Sequence, residues 1–110
     1  MRMKTLALAA LICAAPLASA QDQPAVFRLT VTAHRFQPAE LLVPAGVKFR
    51  LIVKNEDVTP EEIESHDLNR EKVIPAGGEA VLFIGPLKAG VYDFFGEFHP
   101  TTAKGRIIAK

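Results

Sequence analysis

The sequence predicts an all-β protein, a sandwich built from short antiparallel strands. Apolar and polar residues alternate in short runs that recur about every 8–12 residues, which is the pattern of half-buried strands. The chain's 7 glycines and 8 prolines lie mostly between these runs. No segment shows a long helical periodicity, and the strands do not read as the continuous apolar runs of a parallel α/β sheet.

The first half of the chain contains three predicted strands. Val26 to His34 alternates apolar and polar residues and forms the first strand. A turn at Phe36 to Pro38 leads to a short second strand, Glu40 to Val43. The third strand, Val47 to Val53, follows the turn residues of Pro44 to Gly46.

The segment from Asn55 to Asn69 breaks this alternation, being rich in acidic residues. A helix over Pro60 to Leu68 is one interpretation, because Thr59 is a suitable cap and Pro60 suits the first helical position. We favour a loop, Glu56 to Asp67, followed by a short strand.

The second half contains further short strands separated by a Pro-Ala-Gly-Gly turn and a polar loop. These predicted strands are Val73–Ile74, Ala80–Ile84, Gly90–Phe95 and Arg106–Ala109. The spacing of Leu87, Gly90 and Tyr92 matches a tyrosine corner of Greek-key sandwiches. The loop Gly96 to Lys104 carries Glu97 and His99 and is held by strands at both ends, as metal and active-site loops usually are.

Residues 1–20 have the pattern of a cleaved secretory signal peptide. Arg2 and Lys4 precede an apolar run, Thr5 to Leu17, and Ala18-Ser19-Ala20 is a small-x-small cleavage site. The apolar run is shorter than the roughly 20 residues that span a bilayer, so we expect no stable membrane insertion of the mature chain. We expect residues 21–110 to form one exported domain.

Cleavage would change both the charge and the sulfur chemistry of the protein. Two of the 13 basic residues lie in the leader, which leaves 11 against 12 acidic residues. No basic surface is predicted, so nucleic acid is excluded as a partner. The single cysteine, Cys13, is also lost, and the mature domain has neither a disulfide nor a thiolate ligand.

The chain from Phe36 to Lys110 resembles the cupredoxins, and several motifs carry this resemblance. They are VPAG before an alternating strand, an Asn-x-Asp loop, PAGGEAVLFIGPLKAGVYDFF, a Phe-x-x-His-Pro loop and the ending KGRIIAK. The resemblance implies a Greek-key β-sandwich. It also implies a metal site between a histidine that follows the third strand and a C-terminal loop offering Cys, His and often Met.

The ligand positions depart from that pattern. The cysteine position falls on Gly96, the first histidine on Glu61 and the methionine near Ala103, while His99 keeps the second histidine. A blue-copper site needs the thiolate, so a blue electron carrier is excluded.

The donors that remain at this end of the chain are carboxylates and imidazoles: Glu61, Glu62, His66, Glu97 and His99. Such donors suit iron, manganese, zinc or copper(II), and we expect an iron ion or a copper(II) ion. Glu61 and Glu62 point to opposite faces of an extended segment, and we favour Glu61. Converging carboxylates should repel one another, which raises their pKa values. His34, at a strand end, is expected to be exposed.

The segments Pro60 to Ser65 and Arg70 to Val73 resemble the EfeO-type cupredoxin-like proteins, especially the small periplasmic member of four-component ferrous iron uptake systems. This resemblance implies that the protein is periplasmic. It also implies that the protein acts together with a periplasmic iron-binding protein and an inner-membrane iron permease. Two alternatives remain open: a ferroxidase or ferroxidase subunit, and a non-metal adaptor that docks to the permease.

Overall fold

The regular structure in the described part of the chain consists of nine β-strands. The computed structural model describes residues 2–5, 7, 9–12 and 24–110. The strands are β1 (Ala25–Thr32), β2 (Arg35–Gln37), β3 (Glu40–Val43), β4 (Phe49–Asn55), β5 (Glu61–Ser65), β6 (Arg70–Ile74), β7 (Glu79–Ile84), β8 (Gly90–Gly96) and β9 (Lys104–Ala109). No helix among these residues is long and apolar enough to cross a membrane. The predicted cleavage site at Ala18–Ala20 and Cys13 lie outside the described residues.

The strands form two sheets, which confirms the predicted all-β sandwich. One sheet has the order β2-β1-β4-β7 and the other β3-β9-β8-β5-β6. The pairs β1–β4 and β3–β9 are parallel, so the expectation of a purely antiparallel sandwich was wrong and both sheets are mixed. Between β1 and β4 the chain crosses to β3 in the other sheet, and it returns to β4 running in the direction of β1.

The two sheets enclose one apolar core, made by the inward positions of each strand. In β4 the burial alternates at every residue, and Phe49, Leu51 and Val53 are almost fully buried. Side chains of the facing sheet, including Phe94 and Ile107, complete this core. The alternation read from the sequence therefore identifies the buried face correctly.

The predicted strand boundaries need correction near the first turn. The first strand ends at Thr32 because Ala33 and His34 adopt left-handed backbone angles, with φ of 52° and 57°. The segment predicted to turn at Phe36 belongs instead to β2, in which Phe36 is buried.

The acidic middle segment is a strand where a loop or a helix was predicted. β5 occupies Glu61–Ser65 with alternating burial, so the helix over Pro60 to Leu68 was wrong and the predicted loop is shortened to the residues before Glu61. β5 pairs with both β6 and β8, and this pairing in the sheet outweighs the acidic composition.

The predicted tyrosine corner is present. The Tyr92 hydroxyl donates a hydrogen bond to the Lys88 carbonyl oxygen at 2.8 Å. This bond fixes the entry into β8, the strand that leads to the loop carrying His99.

Candidate metal centre

Glu61 is a buried carboxylate at the start of β5, only 1% exposed. Its Oε1 accepts hydrogen bonds from the backbone N–H groups of Glu62 and Phe98, each at 3.1 Å. Its Oε2 lies 2.6 Å from Nδ1 of His99. An unpaired buried carboxylate is costly, so these three contacts are what allow Glu61 to occupy an inward position.

His99 is presented by a compact loop that closes on itself. Its carbonyl oxygen accepts the N–H groups of Thr102 at 3.2 Å and Ala103 at 2.9 Å, and the Gly96 N–H donates to the Ala103 carbonyl at 2.8 Å. The His99 side chain is 28% exposed. The loop therefore holds the imidazole between a buried carboxylate and the surface.

His34 packs flat against His99, which the sequence did not predict. The two imidazole rings are stacked, with centroids 3.6 Å apart and planes inclined by 14°. The carboxylate of Glu61 and the two imidazoles offer ligand atoms that all lie within 4.8 Å of one another. We call His34, Glu61 and His99 the inner cluster.

Asp57 anchors the turn that carries His34. Its carboxylate accepts the backbone N–H of Ala33 at 2.8 Å and of His34 at 2.9 Å, and one of its oxygens lies 3.4 Å from His34 Nδ1. The bond from the His34 backbone is the largest effect that lowers the pKa of Asp57, with smaller contributions from Ala33 and the nearby imidazoles; burial acts in the opposite sense. The carboxylate is thus held in its charged form.

The Asn-x-Asp motif is the sequence signal that points to this contact. The buried Asn55 accepts the Asp57 N–H at 3.0 Å through Oδ1 and donates through Nδ2 to the carbonyl oxygens of Thr59 and Ile74. These bonds fix Asp57 directly beside the turn at His34. The motif was recognised in the sequence, but its partner, the turn at Ala33 and His34, could not be identified from spacing.

The position of the blue-copper cysteine is filled by other atoms. A Cβ atom added at Gly96 would lie 2.7 Å from Glu61 Oε1 and 2.6 Å from the Ala103 Cβ, both too close for real contacts. Because the Glu61 carboxylate takes this space, the residues present do not fit a thiolate-bound copper ion.

The other predicted ligands lie on the outer face of the same sheet. Alternation along β5 turns Glu62 away from Glu61, and the carboxylates of Glu62, Glu64 and Glu71 come within 4.8 Å of one another there. We call these three residues the outer acidic cluster. His66 is exposed and lies near Phe95, with ring centroids 5.6 Å apart.

Glu97 also belongs to this outer face and is exposed. Partial desolvation, followed by the neighbouring Glu97 carboxyl, raises the pKa of Glu64. The expected convergence of Glu61, Glu62 and Glu97 was wrong, because Glu61 faces inward while Glu62 and Glu97 lie on the outer face. Of the five predicted ligands, the structure brings together Glu61 and His99 and places Glu62, His66 and Glu97 elsewhere.

Comparison with known proteins identifies a relative in sequence. The chain is 46% identical over 81 residues to an uncharacterised protein of Rickettsia prowazekii (strain Madrid E), covering 74% of this chain and 65% of that protein. This chain thus spans about two thirds of the relative's length.

Solved structures with the same fold include copper proteins. Auracyanin A, a blue copper protein from Chloroflexus aurantiacus, superposes with a TM-score of 0.70 at 13% identity, covering 80% of this chain and all of that one. Amicyanin from Paracoccus versutus gives 0.61 at 18% identity over 81% and 86% of the two chains. At these identities the likeness shows the fold alone. A profile of the cupredoxin-like domain matches residues 4–109, and the chain therefore belongs to the cupredoxin-like domain family.

Proposed function

We propose that this protein binds an iron or copper(II) ion through Glu61 and His99 and takes part in ferrous iron uptake. The observation that carries the proposal is the buried Glu61 carboxylate, 1% exposed, whose oxygen lies 2.6 Å from His99 Nδ1. Two donors at this separation can bind one ion, which takes the place of any proton on the binding atoms.

The donor set favours a harder ion than the one held by blue copper proteins. A carboxylate and imidazoles suit iron and copper(II), whereas thiolate and thioether ligands select copper(I). The packing around Gly96 supports the same preference, because it leaves no room for a sulfur ligand beside Glu61.

The cellular role rests on the sequence. The leader pattern of residues 1–20 supports a periplasmic location, and the Pro60 to Ser65 segment supports a place in a ferrous iron uptake system. There the protein would receive iron from, or pass it to, a periplasmic iron-binding protein and an inner-membrane iron permease.

Metal titration of the purified protein tests the binding site. We expect Fe(II), added anaerobically, and Cu(II) to bind one equivalent each, and we expect Glu61→Gln and His99→Ala to lose that binding. Glu62→Gln is the matched control, since Glu62 neighbours Glu61 on the same strand but faces outward. Equal binding by wild type, Glu61→Gln and His99→Ala would remove the proposal.

Assistance of Fe(II) oxidation is a second candidate, favoured by the anionic oxygen donor, which stabilises Fe(III) over Fe(II). Oxygen consumption after rapid mixing of Fe(II) with the protein, with and without copper, separates the two candidates. A protein that only binds iron leaves the rate of oxygen consumption at its buffer value.

A further inference from the structure

The turn between β1 and β2 holds His34 in a conformation that its sequence does not favour. Ala33 and His34 both have positive φ, 52° and 57°, although neither is glycine. Such residues cost free energy and persist where the surrounding structure fixes them, often at functional sites. A hairpin of this kind usually places glycine or asparagine at one of these positions.

The surrounding structure fixes this turn through charged hydrogen bonds. Both Asp57 carboxylate oxygens accept backbone N–H groups of the turn, and the Asn55 side chain, itself fully buried, holds the Asp57 backbone. These bonds place the His34 imidazole against the His99 ring, with the ring centroids 3.6 Å apart.

We propose that His34 is a third metal ligand, so that the inner cluster forms a two-histidine, one-carboxylate site for Fe(II). This inference rests on the proposed function, in which Glu61 and His99 already bind the ion. Three protein ligands of this composition, with the remaining coordination positions open, are typical of non-haem Fe(II) sites. As a second imidazole donor, His34 also raises affinity without adding a second buried carboxylate.

The stack of the two rings defines what must change when the ion binds. An imidazole binds a metal with a lone pair in the plane of its ring, so two parallel rings cannot both point at one ion. His34 therefore rotates out of the stack on binding, which its 41% exposure permits. Asp57 is the positioning residue that keeps the His34 backbone in place.

His34→Asn tests this role with little disturbance of the fold. Asparagine tolerates the left-handed conformation and lacks the imidazole. We expect anaerobic Fe(II) affinity, measured by competition with a chelator, to fall about tenfold or more in His34→Asn. Asp57→Asn should weaken Fe(II) binding by about tenfold, as is typical for a residue that orients a ligand. His66→Ala is the histidine control and should bind as wild type does.

The number of coordinated imidazoles provides a second, independent measurement. With Cu(II) as the probe, pulsed EPR should count two imidazoles in the wild type, in Asp57→Asn and in His66→Ala, and one in His34→Asn. Urea unfolding of each metal-free variant checks that the fold is retained.

The outcomes separate this inference from the proposed function. If the Cu(II)-bound wild type shows one imidazole, or if His34→Asn binds Fe(II) as tightly as the wild type, the role of His34 is overturned while the Glu61–His99 site stands. If neither Fe(II) nor Cu(II) binds the wild type, the proposed function fails and this inference fails with it.

Discussion

The inner cluster and the outer acidic cluster share strand β5 and a similar spacing of donor atoms, but they differ in burial and in the partners of their carboxylates. Glu61 faces inward, is almost fully buried and contacts His99, whereas its neighbour Glu62 faces outward with Glu64 and Glu71. The inner cluster contains a single carboxylate next to two imidazoles. In the outer acidic cluster, the neighbours of each carboxylate are mainly other carboxylates. Burial and partners, rather than the number of acidic residues, distinguish a candidate site from a solvated surface.

The two regions are expected to differ most in how a substitution beside them changes the free energy of unfolding. The largest change is expected at Gly96, which packs against Glu61 of the inner cluster. Gly96→Ala places a methyl group 2.7 Å from Glu61 Oε1 and 2.6 Å from the Ala103 Cβ, so the Glu61 carboxylate and Ala103 must shift. We expect a loss of roughly 1–3 kcal/mol in the free energy of unfolding, the usual cost of overpacking. Urea denaturation of the metal-free protein measures it.

Gly90→Ala is the matched control on the same strand. A Cβ at Gly90 would meet nothing closer than the Tyr92 ring at 3.8 Å, so its effect should stay within about 0.5 kcal/mol. If the two variants unfold alike, the packing of Glu61 against Gly96 is not as tight as the structure indicates.

Much of the scaffold was predictable because strand alternation depends on local sequence. The buried positions of β4 and the limits of β3 agree with the predicted strands, and so does the tyrosine corner at Tyr92. β5 was difficult to predict because an acidic residue, Glu61, occupies a core position. Its burial depends on the His99 imidazole, which lies 38 residues further along the chain.

The candidate site was predictable only in part, for the same reason. The opposite directions of Glu61 and Glu62 follow from local geometry, and the sequence favoured Glu61. The contribution of His34 depends on a left-handed turn and on Asp57, 23 residues away, and no local pattern encodes that contact. His66 and Glu97 lie close to the site in sequence, but the sheet directs them to its outer face.

The charge of Asp57 is expected to make a smaller contribution to the free energy of unfolding. Its pKa is lowered in the folded protein, so the unfolded chain takes up a proton at higher pH than the folded chain does. The stabilisation is therefore complete above the ordinary value of about 3.9 and is lost as the pH falls through the lowered pKa.

Asp57→Asn tests this effect in the presence of a chelator. Wild type should be more stable than the variant at pH 7, and the difference in unfolding free energy should narrow toward pH 3. A difference that is the same at both pH values would show that the Asp57 charge does not stabilise the turn.

The smallest expected effect on stability comes from Glu64, on the outer face of the sheet. The pKa of Glu64 is raised by desolvation and by Glu97, so the folded protein keeps a proton that the unfolded chain has lost, and stability falls as the pH rises through that pKa. Glu97→Gln should move the Glu64 pKa back toward its ordinary value in an NMR titration. Glu79→Gln, on the other sheet, should leave the Glu64 pKa unchanged, and an equal shift in both variants would contradict the assignment.

The most direct test of the account is to locate the ion in crystals. Anomalous diffraction from crystals grown anaerobically with Fe(II) should show one strong peak within coordination distance of Glu61 Oε2 and His99 Nδ1. A peak at Glu62, Glu64 and Glu71 with none at the inner cluster would contradict the account.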